Sequence, residues 1–102
     1  HGAAFRSRAA VAAADFRWMQ GEALVTWYES SPGNERGFCS RCGSPLLSRF
    51  AFHPQHYGLP LGALDDDPGV KPGMHVFVAN QAPWHEITDE LPRFDALPPR
   101  RV

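Results

Sequence analysis

The sequence is most restrictive in what it lacks. It holds only two cysteines in 102 residues, too few for the multi-bridge framework that staples small secreted domains. A reducing, cytoplasmic setting is the better expectation. No apolar run approaches the roughly 20 residues of a membrane span, and no leader-like pattern opens the sequence. Charge of one sign is missing too. Ten Lys+Arg against eleven Asp+Glu leave a net −1, which argues against a protein built around nucleic acid or anionic lipid. The basic residues are nine arginines and one lysine, a bias read as genome composition with no functional weight.

What is present is an ordinary globular chain, 43% hydrophobic and 12% aromatic, which excludes disorder and collagen-like repeats. Its length suits one domain. Nine glycines and ten prolines turn the chain often and disfavour long helices. Short strands are expected at Phe5–Val11, Glu22–Glu29, Glu35–Phe38, Leu46–Phe52, Tyr57–Leu64 and Met74–Ala79. Met74–Ala79 is apolar enough to sit centrally. Pro60 confines its strand to an edge or a bulge. Asp15 could cap a short helical stretch, Phe16–Met19. From Pro83 onward the chain reads as loop, with residues 95–102, Arg100 and Arg101 among them, a loose tail. The class is mostly β, with small antiparallel sheets. A domain of this size often needs a staple.

Cys39 and Cys42 offer one. They stand in Phe38-Cys39-Ser40-Arg41-Cys42-Gly43-Ser44-Pro45, a C-x-x-C between two expected strands. Such a knuckle turns both thiolates toward one zinc, and glycine after the second cysteine permits a positive φ. Zinc wants four ligands, so the knuckle is half a site. Other readings stay open. A thioredoxin-like redox pair would need a helix where Gly43 and Pro45 stand. A self-contained site with His53 and His56 has Pro54 between its histidines. Two reduced, metal-free cysteines could simply pack as small hydrophobes. The residues favour half of a four-cysteine zinc site, with its partner ligands upstream of His1. The chain opens at His1 without methionine, and an upstream segment is expected.

Several stretches then become recognisable together: Trp18-Met19-Gln20-Gly21, Tyr28-Glu29-Ser30-Ser31-Pro32-Gly33, and the run from Arg36 to Leu46 around the cysteines. Leu61-Gly62-Ala63-Leu64-Asp65, Pro72-Gly73-Met74-His75-Val76-Phe77, Pro83-Trp84 and Asp89-Glu90-Leu91-Pro92-Arg93-Phe94 follow in order. From Gly2 to Phe94 the chain resembles the glutathione-dependent formaldehyde-activating enzyme family, whose eukaryotic branch includes centromere protein V. Glu90 departs from the glycine common there, which touches a turn rather than chemistry.

The resemblance implies a β-tent fold with two zinc ions. Cys39 and Cys42 match the second pair of a structural four-cysteine site. The first pair and a catalytic cysteine trio would lie upstream of His1, so no catalytic ligand falls within the chain. The implied chemistry is a carbon–sulfur lyase type, making or breaking a thiol–aldehyde adduct such as S-hydroxymethylglutathione. The alternative is a non-catalytic zinc-binding interaction module.

His75 and Trp84 match family positions and are candidates for a substrate pocket; the plainer reading is core packing. Trp18, Trp27 and Tyr28 read as core. Asp65-Asp66-Asp67 reads as a solvated turn, lacking the glycine and glutamate of a calcium loop. Arg36 and Arg41 flank the knuckle, balancing thiolate charge or attracting an acidic substrate.

Overall fold

The computed structural model describes residues 2–98. They form two compact units, one of residues 7–69, the other of residues up to Arg6 together with those from Val70 onward.

The first unit is one antiparallel sheet of five strands: β1 (Ala9–Ala12), β2 (Val25–Ser31), β3 (Asn34–Cys39), β4 (Pro45–Phe50) and β5 (His56–Leu59). Their order is β1-β5-β4-β3-β2. A single sheet thus stands where several small ones were expected. The β2–β3 turn is closed by Gly33, whose φ of 78° needs a glycine. Asn34 Nδ2 donates to Ser31 Oγ across it, at 2.6 Å.

Period-two alternation sets the two faces. The register Trp27↔Gly37↔Leu47 and Arg49↔Tyr57↔Val11 puts these side chains on one face. Leu47, at 3% exposure, is the one buried hydrophobic residue among those described. Neighbouring Tyr28 pairs with Arg36 on the opposite face and is 63% exposed. The expectation that Tyr28 joins Trp27 in a core therefore fails, because adjacent strand residues point apart.

Other expectations shift in place. Ala13–Asp15 forms a 3-10 turn, and Phe16 after it is extended, so Asp15 caps nothing. Glu22–Leu24 is likewise a 3-10 turn behind Gly21, and the strand begins at Val25. Pro60, lacking an N–H, ends β5 instead of bulging it, and Leu61–Ala63 turns away. β5 is also interior, between β1 and β4.

The second unit corrects the strand expected at Met74–Ala79. Only His75 forms a bridge, parallel, to Arg93. Phe77 sits in the left-handed region (φ 56°, ψ 36°), which breaks extension, and Val78–Asn80 is a 3-10 turn. Residues 75–78 instead pair irregularly with the chain ahead. His75 N–H donates to Pro92 O at 2.8 Å, Phe94 N–H to His75 O at 2.9 Å, and Phe77 N–H to Ala96 O at 3.1 Å. Of the expected tail, residues 99–102 lie outside the described residues.

Candidate metal centre

Cys39 ends β3 and Pro45 opens β4, so the five residues between them make the reversal, with one thiol at its start on β3 and the other, Cys42, within it. Cys39 N–H donates to Ser44 O at 3.0 Å, and Gly43 N–H donates to Cys39 O at 2.7 Å. Gly43 has φ 77° and open space where a Cβ would stand. Its glycine is needed for conformation, not for room. A further bond from Ser40 N–H to Leu24 O, 2.8 Å, ties the reversal to the segment before β2.

Both thiols are free; Cys39 is half-buried and Cys42 exposed. The Cys42 thiol donates to Ser44 Oγ at 3.2 Å. The Ser44 hydroxyl, and after it the Ser44 backbone N–H and the Cys39 thiol, favour the Cys42 thiolate and lower its pKa. Ser44 is a contribution that the sequence reading missed, although its place directly after Gly43 put it inside the turn.

Two soft sulfurs on one short reversal are the donor set that zinc takes. The pair fits zinc, as two ligands of four. Among the described residues no group of three or more His, Cys, Asp or Glu is placed to hold a metal. That removes the self-contained site with His53 and His56. Those imidazoles stack on each other at the turn between β4 and β5, centroids 4.9 Å apart and planes at 19°. The thioredoxin-like arrangement fails as well, since a turn and β4 follow Cys39 where a helix would be required. Exposure of Cys42 counts against two cysteines packed as small hydrophobes.

The two substrate-pocket candidates lie in the second unit. His75 is half-buried, and its Nε2 stands 3.0 and 2.9 Å from the two carboxylate oxygens of Asp89. Leu91 N–H donates to Asp89 Oδ1 at 2.9 Å. That backbone bond first, and His75 second, hold the Asp89 carboxyl below the usual carboxylate range. Asp89 was not singled out from sequence; its place two residues before Leu91 is the only local signal. Trp84 is 74% exposed, so it is not a core residue. Asp67 behaves as expected of a solvated turn, accepting from Gly69 N–H at 2.8 Å.

On the sheet, Trp18, Glu22, Val25, Trp27, Leu47, Arg49 and Tyr57 line a hollow of about 250 Å³. That is below the roughly 300 Å³ at which small-molecule sites begin. Arg36 and Arg41 are both exposed.

Compared with known proteins, residues 1–80 match the family described as glutathione-dependent formaldehyde-activating enzyme. The match takes in Cys39, Cys42 and His75 and stops short of Trp84 and Asp89. No curated protein and no solved structure matches the chain. None of the described helices is long and apolar enough to cross a membrane.

Proposed function

Because the chain belongs to the glutathione-dependent formaldehyde-activating enzyme family, we propose that it is part of a zinc-dependent enzyme of carbon–sulfur lyase type. It joins a small thiol, such as glutathione, to an aldehyde. Cys39 and Cys42 are one half of a structural four-thiolate zinc site within a β-tent fold. The observation that carries this reading is the knuckle itself: two free thiols on a Gly43 turn, with Cys42 exposed and poised to ionise. The free thiols also favour the cytoplasm as its compartment.

In the reaction the thiol sulfur forms a bond to the carbonyl carbon, the C=O π bond breaks, and the thiol proton ends on oxygen. A catalytic zinc with an open position would supply Lewis acidity to the carbonyl. The residues at hand do other work. Cys39 and Cys42 fix the reversal between β3 and β4, and Ser44 orients the Cys42 sulfur. Asp89 engages His75 Nε2 and fixes the orientation of the ring, which leaves Nδ1 to meet a substrate. Trp84 offers an exposed aromatic face.

The test is exchange spectroscopy on the full-length protein with glutathione and ¹³C-formaldehyde. Exchange between free formaldehyde and S-hydroxymethylglutathione should run faster with protein than without. A strong chelator should return it to the uncatalysed rate. Zinc-loaded protein that leaves the exchange rate unchanged would point to a non-catalytic zinc module instead.

A further inference from the structure

Two arginines stand on the sheet face opposite Leu47, and no strand carboxylate shares that face with them. The register Tyr28↔Arg36↔Ser48↔Gly58↔Ala10 runs across all five strands, so these residues form one row. Arg8, two residues before Ala10, reaches onto the row. Its Cδ would meet a Cβ on Gly58 at 2.7 Å, and its guanidinium lies 5.4 Å from the Phe50 centroid. The strand carboxylates Glu29 and Glu35 pair with each other, and Glu35 with Arg49, on the other face. Among the described residues neither the Arg8 nor the Arg36 guanidinium has an ion-pair partner. Between them lies Ser48, 4% exposed, with its Oγ buried and without a hydrogen-bond partner. Buried polar groups in folded proteins are nearly all hydrogen-bonded, which leaves this hydroxyl a donor in need of an acceptor. His56 Nδ1, two residues from Gly58 on the same face, is a second buried polar atom without a partner. We infer that this face carries a binding site for a small oxyanion, a phosphate or carboxylate group, received by Arg36 and Arg8 from either side of the Ser48 hydroxyl.

An oxyanion accepts from a hydroxyl and from guanidinium N–H groups alike, and such charge-assisted bonds are stronger than neutral ones. Arg36 stands on the strand beside Ser48, where directly opposed side chains are about 5 Å apart. Arg8 comes from the other side. Gly58 is what lets it cross, because a side chain there would fill the space its stem takes. Arg8 is exposed and rests on an aromatic ring with no ion pair to fix it, so it can turn from Phe50 toward an anion over Ser48. All of these residues belong to the unit of residues 7–69. Two cations on a chain of net charge −1 suit one small anion and not a nucleic-acid backbone.

The site stands apart from the reaction proposed above and is tested without it. Full-length protein is titrated with inorganic phosphate, and separately with acetate, at fixed pH and with chloride holding ionic strength constant. NMR follows the arginine Nε–H and Ser48 amide signals, and a thermal melt is taken at each anion concentration. Saturable shifts are expected at Arg8, Arg36 and Ser48, with a melting midpoint that rises as anion is added. R36Q and R8Q should each weaken binding by about tenfold, and S48A by about threefold. S48A removes only an unpartnered hydroxyl, so it should fold as well as wild type and decides the matter if an arginine variant does not fold. R17Q removes the same charge from an exposed residue outside the strands and should keep wild-type affinity. Tighter phosphate assigns a phosphorylated ligand and tighter acetate a carboxylic acid; either supports the site. Shifts that fail to saturate with both anions, or equal weakening in R17Q and R36Q, would overturn the inference.

Discussion

The guanidinium of Arg49 lies 3.8 Å from the centroid of the Trp27 ring, across the two strands that flank Gly37. The same guanidinium donates through Nε to Glu35 Oε1 at 3.0 Å. Arg49 therefore covers the apolar centre of the sheet with a cation whose charge is met by its cross-strand partner. Replacing it by alanine should cost about 1 kcal/mol, the sum of a cation–π contact and an exposed ion pair. R49K keeps charge but not the planar fork and should recover less than half of that. Urea unfolding measures both; equal stability of R49K and wild type would contradict the stacking.

Gly37 is where the Trp27 ring comes down on the sheet. A Cβ there would stand 3.0 and 3.1 Å from the Trp27 ring and 3.2 Å from a Leu47 methyl. G37A should destabilise by about 1–3 kcal/mol, because a ring and a buried leucine cannot both move aside. Gly58 provides the contrast. Its added Cβ would meet Arg8 Cδ at 2.7 Å, on a side chain that can swing away. G58A should cost less than G37A in the same urea series, and the reverse order would contradict this packing.

Asp89 has its carboxyl lowered by Leu91 N–H and, after it, by His75. A lowered folded value means that the unfolded chain takes up the proton first as pH falls. The stabilisation is thus complete above the unfolded aspartate value of about 3.9 and lost as pH drops through the folded one. NMR titration of the Asp89 carboxyl should give a midpoint below about 3.9. D89N should remove this acid-limb contribution. A midpoint at or above the ordinary value would contradict the bond to Leu91.

Much of the sheet could be read directly from sequence, because β2 through β4 are bounded by Gly33 and Gly43, whose positive φ sets each turn. The knuckle was legible for the same reason: its spacing and its glycine are local. Met74–Ala79 was not. Its composition is that of a strand, but hydrogen-bond partners decide strands, and only His75 finds a bridge. Phe77 adopts a left-handed backbone that no propensity would place there. Partners distant in sequence were equally hidden. Nothing local to His75 points to Asp89, fourteen residues on, nor does Trp27 announce the cation above it.

The most direct test of the account is zinc per chain, measured by elemental analysis after dialysis on full-length wild type and C42S side by side. If Cys39 and Cys42 complete a structural four-thiolate site, wild type holds two zinc ions per chain and C42S holds one fewer. Equal zinc in both proteins would contradict the account, since the knuckle would then ligate nothing.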